Sequence, residues 1–162
     1  MCLLGLPVLP IHAADVAVDT TSNVQIRVAG KVTSLSASVL AGMPHVDVTA
    51  AAHDEAPSAW RGVPLTDLLV RAGVALDKPL RGRDLASFVR VTAADPYQVV
   101  FALSDLDPTL GHNQVVLVDQ RNGKSLDRDG PPVAGSGGRA AGSLVRKVTV
   151  IEVVDGATST RP

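Results

Sequence analysis

Four histidines are the first residues in this sequence that could carry out acid–base or metal chemistry. They are His12, His45, His53 and His112. Imidazole ligates transition metals and exchanges protons near neutral pH. None of the four stands at metal-motif spacing from a second histidine, a cysteine or a carboxylate. The densest polar cluster is His-Asp-Glu at 53–55. It is open to two interpretations, a base or metal ligand and a solvated loop, and the local sequence favours the loop.

Two further stretches could bind an anion. The stretch Gly-Ser-Gly-Gly-Arg at 135–139 could form a nest of backbone N–H groups, but it lacks the Lys-Ser/Thr that follows in a phosphate loop. The sequence therefore favours a flexible loop there. Arg139, Arg146 and Lys147 form a basic cluster that could meet a phosphate, and charge pairing on a strand face is the alternative. No Gly-x-Ser-x-Gly nucleophile elbow occurs.

The start of the chain resembles an export signal. Residues 1–14 are mainly apolar and end in Ala13 and Ala14, before polar residues begin at Asp15. This run is too short for a transmembrane helix, and no later stretch qualifies. The only cysteine, Cys2, lies inside it, so no internal disulfide can form. We therefore expect an exported protein without a transmembrane segment.

The overall composition excludes some classes of partner. Fifteen basic and sixteen acidic side chains nearly cancel, so no field of one sign would attract nucleic acid or an anionic membrane. Aromatic residues make up 2% of the chain, too few for platforms on which single strands stack. The composition therefore argues against nucleic acid and an anionic membrane as partners.

Short strands and a few short helices are the elements that would position these residues. Alternating or continuous apolar residues predict strands at 24–28, 45–50, 87–92, 97–102, 115–118 and 145–154. Helical spacing predicts helices at 34–41 and 65–72 and a helical turn near 104–107. Asn122-Gly123 predicts a two-residue hairpin turn. The fold class is therefore α+β, with mixed, mainly antiparallel sheets and two or three short helices. One domain is expected over 23–155, followed by a frayed tail over 156–162.

Five segments, taken in order, resemble the molybdopterin-binding domain of sulfite-oxidase-type molybdenum enzymes in its short, stand-alone, exported form. The most similar is Trp60-Arg-Gly-Val-Pro-Leu-Thr-Asp-Leu-Leu69, where the family has aromatic-x-Gly-Val-Pro-Leu-x-x-Leu-Leu. The others are Val-Ala-Gly-Lys-Val at 28–32, the segment 95–106, the segment 116–126 with Gly-Pro-Pro at 130–132, and the segment 145–153. Together they span nearly everything from 24 to 154, in an order and spacing that are fairly specific.

The resemblance implies a compact mixed-sheet domain with a pterin groove formed by loops. It also implies a molybdenum cofactor and oxygen-atom-transfer or reductase chemistry in the periplasm, and it allows a periplasmic redox partner. In such enzymes a cysteine thiolate in the loop before the Trp-x-Gly segment ligates the molybdenum. Here the loop at 49–59 contains no cysteine, and the equivalent position falls between Ala50 and His53. His53 is the candidate group that faces the metal.

A second departure from the family pattern covers 134–144. Where the family continues with an arginine and an apolar strand, this chain has Ala134 followed by a Gly- and Ala-rich stretch. An arginine there would bind the cofactor's phosphate with two parallel hydrogen bonds. The segment is either genuine or the product of a local frameshift. Resemblance places Arg146 where the family has a basic residue near the pterin, and Lys147 replaces an aromatic neighbour.

Two functions of different classes follow from these observations. The first is an exported molybdopterin-binding domain of an oxidoreductase family whose metal site is altered or lost, which leaves open whether the chain is an enzyme. Its cofactor-binding candidates are His53, Arg61, Arg146 and Lys147, and no residue is assigned to catalysis or to a metal. The alternative is a non-enzymatic periplasmic module that binds a small anion or a partner protein in the same groove. A fold without any ligand is a third interpretation.

Overall fold

The computed structural model describes residues 23–51, 56–111, 113–126, 133–136 and 144–157, with the backbone alone for 133–136. The helices are α1 (Ala37–Ala41), α2 (Leu65–Arg71) and α3 (Leu103–Leu106), and a 3-10 turn covers Gly82–Ala86. The strands are β1 (Val24–Val28), β2 (Lys31–Leu35), β3 (Val46–Ala50), β4 (Ser58–Pro64), β5 (Phe88–Ala93), β6 (Gln98–Ala102), β7 (Gln114–Arg121), β8 (Lys124–Ser125), β9 (Val133–Ser136), β10 (Leu144–Val145) and β11 (Val148–Val154). None of the helices in these ranges has the length and apolar character needed to cross a bilayer.

Two sheets make up the fold. The first has five strands in the order β2-β1-β11-β5-β6, and its one parallel pair is β1 with β11. The second has the order β10-β9-β7-β4-β3, with β8 paired to β7, and its described pairs are all antiparallel. The predicted class, α+β with mixed, mainly antiparallel sheets and short helices, is confirmed.

The second sheet is buried on both faces along β7. Successive side chains of a strand point to opposite faces. Val115 and Leu117 therefore join the main core, together with the leucines of α2, while Val116 and Val118 lie on the other side. There they form a smaller cluster, which we call the Trp60 face. Its buried members are Val48, Ala50, Trp60, Val116 and Val118.

The first predicted helix begins later than expected. Ser34 and Leu35 belong to β2, because they continue its antiparallel pairing with β1 as far as Val24. The helix is capped instead by Ser36, whose hydroxyl oxygen accepts a hydrogen bond from the Val39 N–H at 3.3 Å. Both serines suit an N-cap, so strand pairing decided between them.

Two other predicted segments differ from the structure. The stretch 135–139, predicted as a flexible loop, overlaps the end of β9, which pairs with β7 from Gln114 to Leu117, while 137–139 lie outside the described residues. The single strand predicted at 145–154 is two strands, β10 and β11, in different sheets. Lys147 separates them with a left-handed φ of 55°, and its carbonyl oxygen accepts a hydrogen bond from Ala94 N–H at 2.9 Å.

Asp107 is a fully buried carboxylate that ties together two loops beside α3. Its oxygens accept hydrogen bonds from the Leu80 N–H at 2.9 Å and from the Thr109 N–H and hydroxyl at 2.7 and 2.6 Å. These bonds lower the pKa of Asp107. The Thr109 hydroxyl has the largest effect and the Leu80 N–H the next, while burial acts in the opposite direction.

We expect Asp107→Asn to lower the urea midpoint markedly at pH 7. A carboxyl group with a lowered folded-state pKa stabilises the fold above the unfolded-state pKa, and that contribution disappears as the pH falls through the folded-state value. The difference in stability between the variant and the wild type should therefore become smaller below about pH 4. Asp77→Asn removes an exposed carboxylate and should match the wild type at pH 7. If the stability lost by Asp107→Asn increased as the pH was lowered, this role for Asp107 would be contradicted.

Candidate functional site

Ala50 is the last residue of β3, and it begins the stretch in which the resemblance places a metal-ligating cysteine. Trp60 Nε1 donates a hydrogen bond to the carbonyl oxygen of Ala50 at 3.0 Å, and the Trp60 side chain is buried. This bond fixes the first part of the loop against β4. Residues 52–55, including His53, lie outside the described residues, so the prediction for His53 is untested.

Arg61 points away from the Trp60 face. It follows Trp60 on β4, so its side chain projects to the opposite side of the sheet. There its guanidinium donates to Asp47 Oδ2 at 2.9 Å, in a pair that is 46% and 69% exposed. Such surface pairs contribute about 0–1 kcal/mol. Arg61 is thus held by its cross-strand neighbour on β3.

Arg146 and Lys147 lie at the crossing from the second sheet to the first. Both are exposed, directly after β10. The described contact of Lys147 is made by its backbone, through the hydrogen bond to Ala94. The structure therefore holds these two residues on a different element from Arg61.

Arg121 is a cation at the Trp60 face that the sequence did not indicate. Its guanidinium carbon lies 4.7 Å from the centroid of the Trp60 ring, and Nη2 donates to Ser58 Oγ at 3.1 Å. Lys124 pairs with it across the β7–β8 hairpin. The predicted Asn122-Gly123 turn already implied the pairing of Arg121 with Lys124. The register that places Trp60 beside them follows from the pairing of β4 with β7.

His45, directly before β3, contacts Asp119 of β7 across β4. His45 Nε2 lies 2.7 Å from Asp119 Oδ2, and Nδ1 lies 2.7 Å from the carbonyl oxygen of Met43. A β-bulge between Arg61 and Gly62 shifts the register and leaves Asp119 unpaired on β7, and bulges commonly redirect a side chain. Asp119 Oδ1 is buried without a hydrogen-bond partner among the described residues. The pair thus joins the two strands that flank β4 in the second sheet.

The described residues contain no cluster of metal-binding side chains. Within the ranges that the structure covers, no three His, Cys, Asp or Glu side chains stand close enough to hold a metal ion. The sulfur ligand that the resemblance requires is missing from the loop's sequence. Arg121 and Lys124 are cationic and suit an anion instead.

An open cleft of about 420 Å³ lies beside the start of α2. Its polar lining consists of Thr66, Asp67, Asn113 and Gln114, and Pro64 and Leu106 are among its apolar residues. Arg61, Arg146 and Lys147 do not line it. The cleft therefore brings together none of these cofactor candidates.

The segments that resemble the molybdopterin-binding family fall on defined elements. The segment 28–32 covers the β1–β2 turn, Trp60–Leu69 forms most of β4 and α2, 95–106 leads through β6 into α3, 116–126 covers β7 and β8, and 145–153 covers most of β11. No family model matches the chain, and no curated protein matches it significantly. The case for a function therefore rests on this motif order and on the geometry of the Trp60 face.

Proposed function

We propose that this chain is a periplasmic, sulfite-oxidase-type molybdopterin-binding domain that has kept the pterin-binding fold and lost the metal chemistry. The observation that carries the proposal is the unit formed by Trp60–Leu69. Trp60 lies on the face next to the loop that should carry the metal ligand, and Leu65, Leu68 and Leu69 anchor α2 in the main core. One motif thus connects the core of the domain to the candidate site.

The missing thiolate argues against turnover. The cofactor supplies oxygen-atom transfer when it is bound in such a site, and soft sulfur ligands hold the metal there. This chain has no cysteine between residue 49 and residue 59. Its own residues can bind and orient the anionic groups of a pterin, for which Arg146 and Lys147 are the candidates. Replacement of the family's arginine by Ala134 should cost about 1.5–3 kcal/mol of binding energy, roughly ten- to a hundredfold in affinity.

A second function, a non-enzymatic module for a small anion or a partner protein, is favoured by one observation. Arg61 is engaged by Asp47 on the side of β4 away from the Trp60 face. One of the four cofactor candidates is thus engaged in an ion pair within the sheet. A module of this kind would use the same fold without the pterin.

Purification from a molybdenum-replete periplasm tests the first proposal. We expect pterin, measured by fluorescence after oxidation, and molybdenum to co-purify with the chain in equal amounts, and oxygen-atom transfer to be absent. Arg146→Gln should reduce the pterin content, because it removes one of the two cations proposed to bind the anionic groups of the pterin. Arg71→Gln, at an exposed position on α2, should leave it unchanged. Absence of both pterin and molybdenum from the wild-type protein would reject the proposal in favour of the module.

A further inference from the structure

The cleft beside α2 lies at the end of β4 that is remote from the 49–59 loop. β4 begins at Ser58 inside that loop and ends at Pro64, directly before α2. A strand of 7 residues is about 20 Å long. The cleft volume of about 420 Å³ is within the range typical of small-molecule sites. The cleft is therefore a candidate site in its own right, independent of pterin binding.

Hydrogen bonds and close packing fix the walls of the cleft. On one side, the Gly111 N–H donates to the carbonyl oxygen of Asp107 at 2.8 Å. Gly111 also approaches α3 so closely that a Cβ atom there would lie 2.2 Å from the carbonyl oxygen of Asp105. On the other side, Pro64 is paired with Val116 in the sheet. Because these walls are already ordered, little conformational entropy is lost when a ligand binds.

Four polar side chains line the cleft, and the carboxylate of Asp67 is the only charged group among them. The other three are the hydroxyl of Thr66 and the amides of Asn113 and Gln114. Within the described ranges, none of these side chains is used in a hydrogen bond or ion pair of the fold, and Asp67 makes none with Arg71 one helical turn later. Each carries an oxygen that can accept a hydrogen bond. The lining therefore suits a ligand with a positive charge and N–H donors.

The remaining lining distinguishes between two kinds of cation. It is aliphatic, apart from Gly111, and consists of Pro64, Leu106, Pro108 and Val115. Quaternary ammonium groups are recognised by aromatic rings, and none of the described lining residues is aromatic. A primary ammonium group instead has three N–H donors for the oxygens. We propose that this cleft binds a primary aliphatic amine, with its ammonium group at Asp67 and its alkyl chain against the aliphatic residues.

Nuclear magnetic resonance of the full, ¹⁵N-labelled chain tests this proposal. The chain is titrated with hexylamine hydrochloride at neutral pH and constant ionic strength. We expect saturable shifts of the backbone amides at 66, 67, 113 and 114, and none with tetramethylammonium or hexanoate. A parallel titration with Nα-acetyl-lysine methylamide distinguishes a free amine from a lysine side chain of a peptide, because the natural source should bind more tightly.

Two variants and a control complete the experiment. Asp67→Asn should weaken hexylamine binding about fivefold, the upper value for an exposed ion pair. Gln114→Glu should strengthen it by a similar factor, because it adds a second carboxylate to the cleft. Asp77→Asn makes the same chemical change as Asp67→Asn at an exposed position outside the cleft, and it should bind like the wild type. Unsaturable shifts in the wild type, equal binding of hexanoate, or wild-type affinity in both Asp67→Asn and Gln114→Glu would overturn the proposal.

Discussion

Trp60→Ala is expected to lower the free energy of unfolding by about 3–5 kcal/mol, the usual cost of truncating a buried aromatic residue to alanine. Trp60 is 3% exposed and lies at the centre of the smaller hydrophobic cluster, between Val48 of β3 and Arg121 of β7. Its removal leaves a cavity among side chains that can close it only partly. It also removes the hydrogen bond to Ala50 and the contact with Arg121.

The conservative variant Trp60→Phe separates these contributions. It retains an aromatic ring for packing and for Arg121, but it loses the indole N–H that donates to Ala50. We expect a smaller loss, of which the hydrogen bond accounts for about 1 kcal/mol. Urea unfolding followed by circular dichroism suits both variants, since neither contains a tryptophan to report by fluorescence. An alanine variant within 1 kcal/mol of the wild type would mean that the cluster around Trp60 contributes little to the fold.

Gly62→Ala is expected to cost about 3 kcal/mol, at the upper end of the range for overpacking. A Cβ atom at position 62 would lie 2.6 Å from Val118 Cα and closer still to the carbonyl oxygen of Leu117. Both neighbours are backbone atoms of β7, which cannot rotate away as a flexible side chain can. The close approach occurs at the β-bulge that separates Arg61 from Gly62 in the pairing of β4 with β7.

Gly42→Ala is the matched control. Gly42 ends α1 with φ of −83°, and a Cβ atom there would make an ordinary contact of 3.7 Å with the Val39 carbonyl oxygen. Because alanine adopts this conformation without strain, stability should be unchanged or rise by up to about 1 kcal/mol. Urea midpoints of the two variants, measured side by side, give the comparison. Equal stability of Gly62→Ala and the wild type would show that β4 and β7 separate without cost.

The predictions that the structure confirmed depend on local sequence patterns. Leu65, Leu68 and Leu69 follow helical spacing, and they form the buried side of α2. Asn122-Gly123 matches the φ angles that a two-residue turn requires, and the turn is present. Each of these signals is contained in a few neighbouring residues, so no distant contact was needed to interpret it.

The predictions that differed depend on distant partners. Ser34 is as good a helix cap as Ser36, and β1 decided between them by pairing with Leu35. Gly135 and Ser136 begin the stretch predicted as a flexible loop, yet they belong to β9 because β7 offers them hydrogen-bond partners. Short strands of this kind take their conformation from the sheet that they join.

The sequence by itself determined the class of this protein: an α+β fold of short strands, and a chain without the cysteine that the resemblance requires. Tertiary structure alone decided which cation accompanies Trp60. Arg61 is its neighbour in the chain and points to the other side of the sheet, while Arg121 is its neighbour across β4 and β7 and stacks on its ring. The physical reason is that adjacent strand residues alternate between faces, whereas directly paired residues on neighbouring strands share one.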